Sequence, residues 1–465
     1  MKIIDSFILY PKGDHKEIEQ QDLPIRRTTY PETDKPFSSE LLRDIAGRAD
    51  SDYILLTWSP VDFGLFAIER MAGIAEDTQS GMVYADFYEE KDGAISKHPL
   101  IDYRKGSLRD DFDFGPVLMF DTVAFKEAVE GMTGDYSFAG LYDLRLAISR
   151  RHPVVHINEY LYTVKENRAK TEGGHFAYVD PKHRAVQIEM ETALTGHLRL
   201  IGAHLPPRIK SVDIDEDTFP VEASVIIPVR NRVKTIADAI RSAQAQETAF
   251  GFNVILVDNH STDGTTQVIG SHAVKDGRLV HIIPGQGDLG IGGCWNLAVN
   301  HDLCGRFAVQ LDSDDVFSGR HTLQTIVDAF RRERCAMLIG SYRLTDFNLQ
   351  TIPPGLIDHS EWTHENGHNN ALRINGFGAP RAFFTPLLRK IKLPNTSYGE
   401  DYAVCLRISR EYRTGRLYEA LYFCRRWEGN SDAAPALSLT NEYNSYKDNL
   451  RSWELEARIK MNNLL

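Results

Sequence analysis

Strand-like and helix-like patterns of apolar positions alternate most regularly in the second half of the chain. A helical pattern covers residues 233–246, and the glycine-rich residues 285–293 lead into a further helix near Asn296. Short apolar runs predict buried strands at residues 224–228, 253–257, 279–283 and 307–311. Strands and helices that alternate at this spacing predict a parallel, doubly wound α/β sheet.

The first half is also predicted to be α/β, with less regular joins. Strands are expected at residues 53–56, 81–85 and 116–120, and helices at residues 65–75, 141–150 and 181–203. Prolines and an acidic stretch between Pro206 and Val221 make a poor core and indicate a domain boundary. We therefore expect a first α/β domain at 1–205, a linker at 206–221, a catalytic domain at 222–435 and a helical tail at 436–465.

Composition and charge limit the classes of function. The chain has 465 residues, 42% of them hydrophobic, and a formal net charge of −12. That charge argues against nucleic acid or an anionic membrane as the main partner. Five cysteines without a Cys-x-x-Cys pair favour free thiols in a reducing compartment, so a cytoplasmic location is predicted. We therefore expect neither a signal peptide nor a membrane-spanning helix.

Three carboxylates end the last of the predicted strands in the second half. Asp312, Asp314 and Asp315 follow the buried run at 307–311, and strand ends of open α/β sheets are where ligands bind. Two carboxylates one residue apart on a turn can share a hard divalent cation, Mg²⁺ or Mn²⁺. The alternative is a helix N-cap cluster, where Asp is also favoured.

Four motifs in register resemble the family 2 glycosyltransferases, which have the A-type nucleotide-sugar-binding fold. The resemblance covers residues 223 to 432, nearly half the chain. The motifs are Ser224-Val-Ile-Ile-Pro-Val-Arg-Asn231, Val257-Asp-Asn-His-Ser-Thr-Asp-Gly264, Asp312-Ser-Asp-Asp315 and Gly399-Glu-Asp401. The resemblance implies an enzyme that inverts the anomeric carbon as it transfers one sugar from a nucleoside-diphosphate sugar to an acceptor hydroxyl.

The resemblance also implies which residues bind the donor. Pro228 and Arg230 would lie against the nucleotide base, where the family often has an aromatic residue. In Asp258-Asn259 the family frequently has two aspartates, and Asn259 can still offer a carbonyl oxygen to the base. Asp312 and Asp314 match the family's Asp-x-Asp, which holds Mg²⁺ or Mn²⁺ on the diphosphate.

Acid–base and acceptor residues are assigned in the same way. Asp401 is the candidate general base, with Glu400 orienting the acceptor or exchanging that role; the alternative is that both merely favour the helix dipole. Trp362 and His368 are candidates for acceptor binding on a long loop that could equally be an irregular surface excursion. Arg426, more than Arg425, is expected to face phosphates, with surface salt bridging as the alternative.

Short repeats connect the two halves. Ile148-Ser-Arg150 and Glu159-Tyr-Leu-Tyr162 match residues 408–410 and 419–422 at one constant offset, and Phe114-Gly115 matches Phe377-Gly378 slightly out of phase. Gly140-Leu141 stands where Glu400-Asp401 would be, and Thr57-Trp58-Ser59 where residues 312–314 would be. The first half is therefore predicted to be a degenerate copy that serves acceptor binding, dimerisation or support.

Two other function classes stay open. A nucleotidyltransferase would use a similar sheet and cation, but residues 228–232 lack the glycines of a triphosphate-binding loop. A non-catalytic sugar-binding protein would tolerate loss of the acidic pairs in both halves, whereas only the first half has lost them. The expected partners are a UDP- or GDP-linked sugar and a glycan or small hydroxyl acceptor, and a homodimer fits the sequence.

Overall fold

The computed structural model describes residues 2–9, 25–31, 35, 37–165, 184–207, 210–215, 218–360, 362–430 and 436–464. The chain forms two compact units. Unit 1 comprises residues 1–204, 372–374 and 436–465, and unit 2 comprises residues 205–371 and 375–435. The C-terminal tail therefore groups with unit 1. The predicted linker belongs to unit 2, where the Val212 N–H donates to the Arg334 carbonyl at 3.1 Å.

Unit 1 is a mixed sheet with helices. Its strands are β1 (Ile4–Ile8), β2 (Arg27–Thr29), β3 (Tyr53–Thr57), β4 (Val61–Phe63), β5 (Met82–Lys91), β6 (Ala94–His98), β7 (Val117–Asp121) and β8 (Val154–Lys165). Its helices are α1 (Ser39–Arg48), α2 (Ala67–Thr78), α3 (Thr122–Glu130), α4 (Gly140–Ser149) and α5 (Arg184–Leu200). The strand order is β2-β1-β3-β7-β5-β8-β4, with β6 paired to β5.

Unit 2 contains a larger mixed sheet. Its strands are β9 (Ala223–Val229), β10 (Phe252–Asp258), β11 (Leu279–Ile282), β12 (Phe307–Gln310), β13 (Val316–Phe317), β14 (Met337–Thr345), β15 (Thr351–Ile357), β16 (Arg381–Phe384) and β17 (Thr414–Arg425). Its helices are α6 (Ile236–Gln244), α7 (Thr265–Ala273), α8 (Ile291–Val299), α9 (Thr322–Glu333), α10 (Gly367–Asn370), α11 (Thr385–Ile391) and α12 (Glu400–Ser409).

The strand order in unit 2 sets the position of the site. The order is β11-β10-β9-β12-β16-β14-β17-β13, with β15 on β14. Strands β11, β10, β9 and β12 are parallel, as predicted, so their carboxyl ends share one edge. The rest of the sheet is mixed, because β16 is antiparallel to both β12 and β14. The sequence analysis did not predict β16, because four residues give too short a pattern to indicate a strand or its direction.

The two sheets share a topology, as the repeats predicted. β3, β7, β5, β8 and β4 pair in the same order and directions as β12, β16, β14, β17 and β13. Phe63 pairs with Tyr162 as Phe317 pairs with Tyr422. This register corrects the predicted alignment by one residue: Trp58-Ser59-Pro60, one position later than Thr57-Trp58-Ser59, occupies the place of residues 312–314.

The last helix is α13 (Leu437–Asn462). It carries buried charges that are paired along its own length: Arg451 donates to Asp448 at 2.8 Å, and Arg458 donates to Glu454 at 2.8 Å. A buried arginine is tolerated because its partner carboxylate compensates for the lost hydration. The predicted helical tail is thus an integral helix of unit 1.

Candidate active site

Hydrogen bonds join the loops that follow β9 and β10. The Asn231 N–H donates to Ser261 Oγ at 2.9 Å, and the Asn231 side-chain oxygen accepts from the Thr262 N–H at 2.8 Å. The Arg232 N–H donates to Thr265 Oγ1 at 2.8 Å. Because both loops leave parallel strands at the same edge, these bonds fix one wall of the crevice.

Asn259 sits at the centre of this wall. Its Nδ2 donates to the Leu289 carbonyl at 2.7 Å, and its backbone N–H donates to the Val229 carbonyl at 2.8 Å. Its Oδ1 is buried and has no hydrogen-bond partner among the described residues. A buried acceptor without a partner costs free energy, so this oxygen is suited to accept from a ligand.

Asp258 does not face the crevice as a free ligand. Its carboxylate is fully buried and accepts from the Ser261 N–H at 3.1 Å and from Thr266 Oγ1 at 2.5 Å. Burial opposes ionisation, yet these hydrogen bonds outweigh it and lower the pKa of Asp258. We therefore correct the predicted nucleotide contact: Asp258 holds the turn before α7 and thereby positions Asn259.

The other two predicted base contacts lie at the end of β9. Pro228 is half-buried within the strand, and Arg230, just after it, is exposed. An exposed guanidinium beside a crevice can stack on a planar ring. Base stacking by Arg230 stays a prediction.

Asp312 follows β12 and is held by the residue two positions earlier. Gln310 Nε2 lies 2.9 Å from each carboxylate oxygen of Asp312, and the Asp312 N–H donates to the Tyr422 hydroxyl at 2.9 Å. Burial raises the pKa of Asp312, although the positive charge of Arg381 and the Gln310 hydrogen bond oppose it. The carboxylate is therefore fixed in place, but its neighbours do not fully compensate for the burial of its negative charge.

The side chains of Asp314 and Asp315 have different hydrogen-bond partners. Asp314 Oδ2 accepts from Asn430 Nδ2 at 3.2 Å and lies 3.5 Å from Trp427 Nε1. Asp315 is buried and accepts from the Arg425 N–H at 2.8 Å. Burial and the charges of Asp314 and Asp312 raise the pKa of Asp315 well above its usual value. This excess of negative charge is what a divalent cation would relieve.

The two arginines after the last strand have different environments. Arg425 is 2% exposed, donates through Nε to the Asp314 carbonyl at 2.6 Å and through Nη1 to Asp238 at 2.9 Å. Arg426 is only half-buried. Arg425 therefore supports the acidic turn, while Arg426 is better placed to reach a ligand.

The glycine-rich segment before α8 permits the close packing that positions Glu400 and Asp401. A Cβ on Gly292 would lie 1.9 Å from the Pro394 carbonyl oxygen and 3.0 Å from the Glu400 Cβ. The Gly290 N–H donates to Asn395 Oδ1 at 2.8 Å. Only glycine allows this approach, so the segment fixes the start of α12.

Asp401 is paired with Arg381, which the sequence did not identify. Arg381 Nη1 lies 3.0 Å from Asp401 Oδ2, and the Arg381 backbone N–H donates to Gln310 Oε1 at 3.0 Å. Burial alone would lower the pKa of Arg381, but the charges of Asp401 and Asp312 help to raise it. Gln310 and Arg381 therefore join Asp312 to Asp401 by one chain of polar contacts.

Glu400 is the more enclosed of the two acidic residues. It is 8% exposed, and its Oε2 has no hydrogen-bond partner among the described residues. Burial and then the charge of Asp401 raise the pKa of Glu400 to about 8. The Asp401 side chain is 28% exposed, so it is the more accessible carboxylate.

The structure argues against both predicted acceptor contacts. Trp362 is 6% exposed and packs against Phe377 with 5.4 Å between ring centroids. The guanidinium carbon of Arg416 lies over the Trp362 ring, 5.3 Å from its centroid. His368 is 4% exposed, and its Nε2 lies 2.9 Å from the Leu205 carbonyl oxygen. Both rings are core groups, so neither presents a face for a sugar. The sequence could not indicate this burial, because an aromatic ring on a predicted loop can be exposed or packed into the core.

Two residues of the site were missed by the sequence prediction. Arg381 begins β16, whose antiparallel placement beside β12 could not be read from its four residues. Gln310 is a buried polar residue in an otherwise apolar strand. Such a residue needs a partner, so Gln310 did carry a signal that could have marked it.

The side chains available to a cation are few. Within the described residues, no group of three or more His, Cys, Asp or Glu side chains converges to hold a metal ion. A cation at Asp312 and Asp314 would therefore need further oxygen ligands from substrate or water. No helix in the described part of the chain is both long and apolar enough to cross a bilayer.

The fold and site of unit 2 define an α/β domain with a ligand crevice at the carboxyl edge of its parallel strands. Residues 224–388 match the model of the family described as "Glycosyl transferase family 2". This match confirms the predicted resemblance to the family 2 glycosyltransferases over residues 224–388. Glu400 and Asp401 lie beyond the matched residues. No curated protein matches the chain significantly.

Solved structures give further similarities. Staphylococcus aureus TarS 1-349 in complex with UDP is 22% identical, with a TM-score of 0.36, covering 44% of this chain and 60% of that chain. The same protein with UDP-GlcNAc is 20% identical, with a TM-score of 0.39 and coverage of 50% and 71%. The mannosyltransferase PcManGT from Pyrobaculum calidifontis, solved with GDP-Man and Mn²⁺, is 16% identical, with a TM-score of 0.39 and coverage of 61% and 84%.

Proposed function

We propose that unit 2 is a metal-dependent, inverting and non-processive glycosyltransferase that moves one sugar from a nucleoside-diphosphate sugar to an acceptor hydroxyl. The family match to residues 224–388 supports the class of reaction. The polar chain from Asp312 through Gln310 and Arg381 to Asp401 is the observation that carries the proposal. It links Asp312, one of the two candidate cation ligands, to the candidate base.

The donor would bind along the carboxyl edge of the parallel strands. Asn259 Oδ1 would accept from a base imide N–H, with Arg230 stacking on the base and Pro228 beside it. Uracil and guanine carry such an N–H, so UDP- and GDP-linked sugars fit this acceptor. Arg426 would contact phosphate oxygens. Asp312 and Asp314 would hold Mg²⁺ or Mn²⁺, since hard cations prefer carboxylate oxygens and accept the remaining ligands from phosphate and water.

The bound cation would neutralise the charge that develops on the leaving nucleoside diphosphate. Asp401 would take the proton of the acceptor hydroxyl as its oxygen attacks the anomeric carbon from the face opposite the diphosphate. The bond from that carbon to the diphosphate oxygen breaks, and the leaving group keeps the electron pair. Arg381 would hold the Asp401 carboxylate in its ionised, oriented state. Glu400, more buried, would orient the acceptor.

A panel of nucleotide sugars tests the proposal. Thermal stabilisation is measured for each donor with Mn²⁺, with Mg²⁺ and with EDTA, followed by detection of free nucleoside diphosphate. A donor should stabilise the protein only with the cation, and the anomeric configuration of any product should be inverted by NMR. A nucleotidyltransferase would instead convert the donor and added pyrophosphate into a nucleoside triphosphate and a sugar 1-phosphate.

A further inference from the structure

Unit 1 has a cleft of its own, about 690 Å³ in volume. Its lining combines polar and charged groups with seven aromatic side chains: Phe37, Trp58, Phe87, Phe112, Phe114, Phe138 and Tyr142. Trp58 meets Phe37 edge to face, with 5.6 Å between centroids, and Phe138 is 42% exposed. The cleft therefore offers an exposed ring at Phe138 and a half-buried ring at Trp58, while Phe87, Phe112 and Phe114 are buried.

The cleft occupies the place in unit 1 that the candidate active site occupies in unit 2. The shared strand register puts Trp58 at the position of Asp312. The repeat offset puts Leu141, another residue of the lining, at the position of Asp401. Gly115, also in the lining, has a positive φ, as does its counterpart Gly378. Unit 1 thus has apolar side chains at two positions where unit 2 has carboxylates.

Most charged groups around the cleft are already engaged. His98 Nε2 lies 2.9 Å from Asp113 and its Nδ1 lies 3.3 Å from Glu89. Arg145 donates to the carbonyls of Ser107 and Arg109. Lys165 pairs with Asp62 at 2.8 Å, which leaves the exposed Lys91 as the available cation among the described side chains of the lining. This charge pattern does not suit a diphosphate, which calls for several free cations or a metal.

We propose that this cleft binds an uncharged saccharide chain, with a sugar ring stacked on Trp58 and Phe138 and its hydroxyls bonded to the polar rim. A pyranose has an apolar face of C–H groups and an edge of hydroxyls, which matches aromatic walls with a few oriented polar groups. Glu90 and Ser59 lie in the lining and supply acceptors and a donor for such hydroxyls. Binding is independent of metal and of the transferase reaction.

The test uses the full chain and neutral oligosaccharides. An array of neutral glycans identifies binders, and the affinity of each is measured by titration in EDTA. The variants are Trp58→Ala, Trp58→Phe and Phe138→Ala. Trp453→Ala, which removes a 59% exposed tryptophan of α13, is the matched control. Melting temperatures check that each variant is folded.

We expect Trp58→Ala to weaken saccharide binding roughly tenfold or more, Trp58→Phe to retain most of it, and Trp453→Ala to leave it unchanged. Asp401→Asn, which changes the candidate base of unit 2, should keep saccharide binding. Failure of the transferase proposal would therefore leave this binding unchanged and can be told apart from failure of the saccharide proposal. The proposal is overturned if no neutral saccharide binds at millimolar concentration, or if Trp58→Ala binds as the wild type does. The proposal is also overturned if a nucleotide or a protein binds the wild type and Trp58→Ala abolishes this binding.

Discussion

Arg381 Nη1 lies 3.0 Å from Asp401 Oδ2, and the backbone of the same arginine is bonded to Gln310, which holds Asp312. One residue on β16 therefore connects two acidic positions that are far apart in sequence, through its side chain on one side and its backbone on the other. If Asp401 is the base, Arg381 controls its orientation. If Asp312 binds the cation, the distance between cation and base is set by the same short strand.

Removing the base should separate binding from turnover. In Asp401→Asn, the amide cannot accept the acceptor proton, so we expect kcat to fall by about 10²- to 10⁴-fold. Donor affinity should stay near the wild-type value. Steady-state kinetics and donor titration measure the two quantities, and a fully active Asp401→Asn would exclude it as the base.

Loss of a cation ligand should affect donor binding first. In Asp314→Ala, we expect the metal-dependent stabilisation by donor to disappear; in the wild type it amounts to about 2.7 kcal/mol at a donor concentration of 100 times Kd. Asp302→Ala, an exposed aspartate in a turn of unit 2, serves as the control. Equal cation-dependent shifts in both variants would contradict the assignment.

Arg381 should be more important for catalysis than an ordinary surface arginine. Arg381→Ala removes the guanidinium that pairs with the Asp401 carboxylate, so we expect a stability loss of about 1–3 kcal/mol and a clear fall in kcat. Arg381→Lys should restore part of the activity. Arg331→Ala breaks an exposed pair with Glu222 and should cost at most about 1 kcal/mol. Similar kinetics for Arg331→Ala and Arg381→Ala would refute a positioning role.

Glu400 predicts how the free energy of unfolding depends on pH. Its pKa is raised from 4.5 to about 8. Between these values the folded state binds more protons than the unfolded state, so the free energy of unfolding should fall as pH rises through this window. Glu400→Gln should flatten that slope. Denaturation from pH 4 to 9 in EDTA measures it, and an unchanged slope in the variant would show that Glu400 does not titrate in this range.

Asn259 tests recognition of the base. Asn259→Ala removes the buried acceptor, so we expect the affinity for UDP- or GDP-linked sugars to fall roughly five- to tenfold. Affinity for donors with cytosine or adenine, which lack the imide N–H, should be weak in the wild type and little changed by the variant. Competition titrations with the four nucleoside diphosphates provide the comparison. A wild type that prefers ADP or CDP would contradict this role.

The sequence predicted the parallel part of unit 2, and it marked the acidic positions of the candidate site because each motif follows a strand or opens a helix. It did not predict Arg381, since its contact with Asp401 depends on the antiparallel placement of β16 beside β12. Trp362 was misplaced for a related reason: an aromatic residue between strands can be surface or core, and tertiary packing decides which. The one-residue shift at Trp58 arose because the offset between the repeats changes along the chain.

The central claim is that a cation site at Asp312 and Asp314 and a base at Asp401 face one donor. The most direct test is a crystal structure with a stabilising nucleotide sugar and Mn²⁺, in which anomalous scattering locates the metal. We predict a manganese peak within coordinating distance of Asp314 and the donor diphosphate, with Asp401 open to the face of the anomeric carbon opposite the diphosphate. Manganese bound elsewhere, or Asp401 turned away from the donor sugar, would contradict the account.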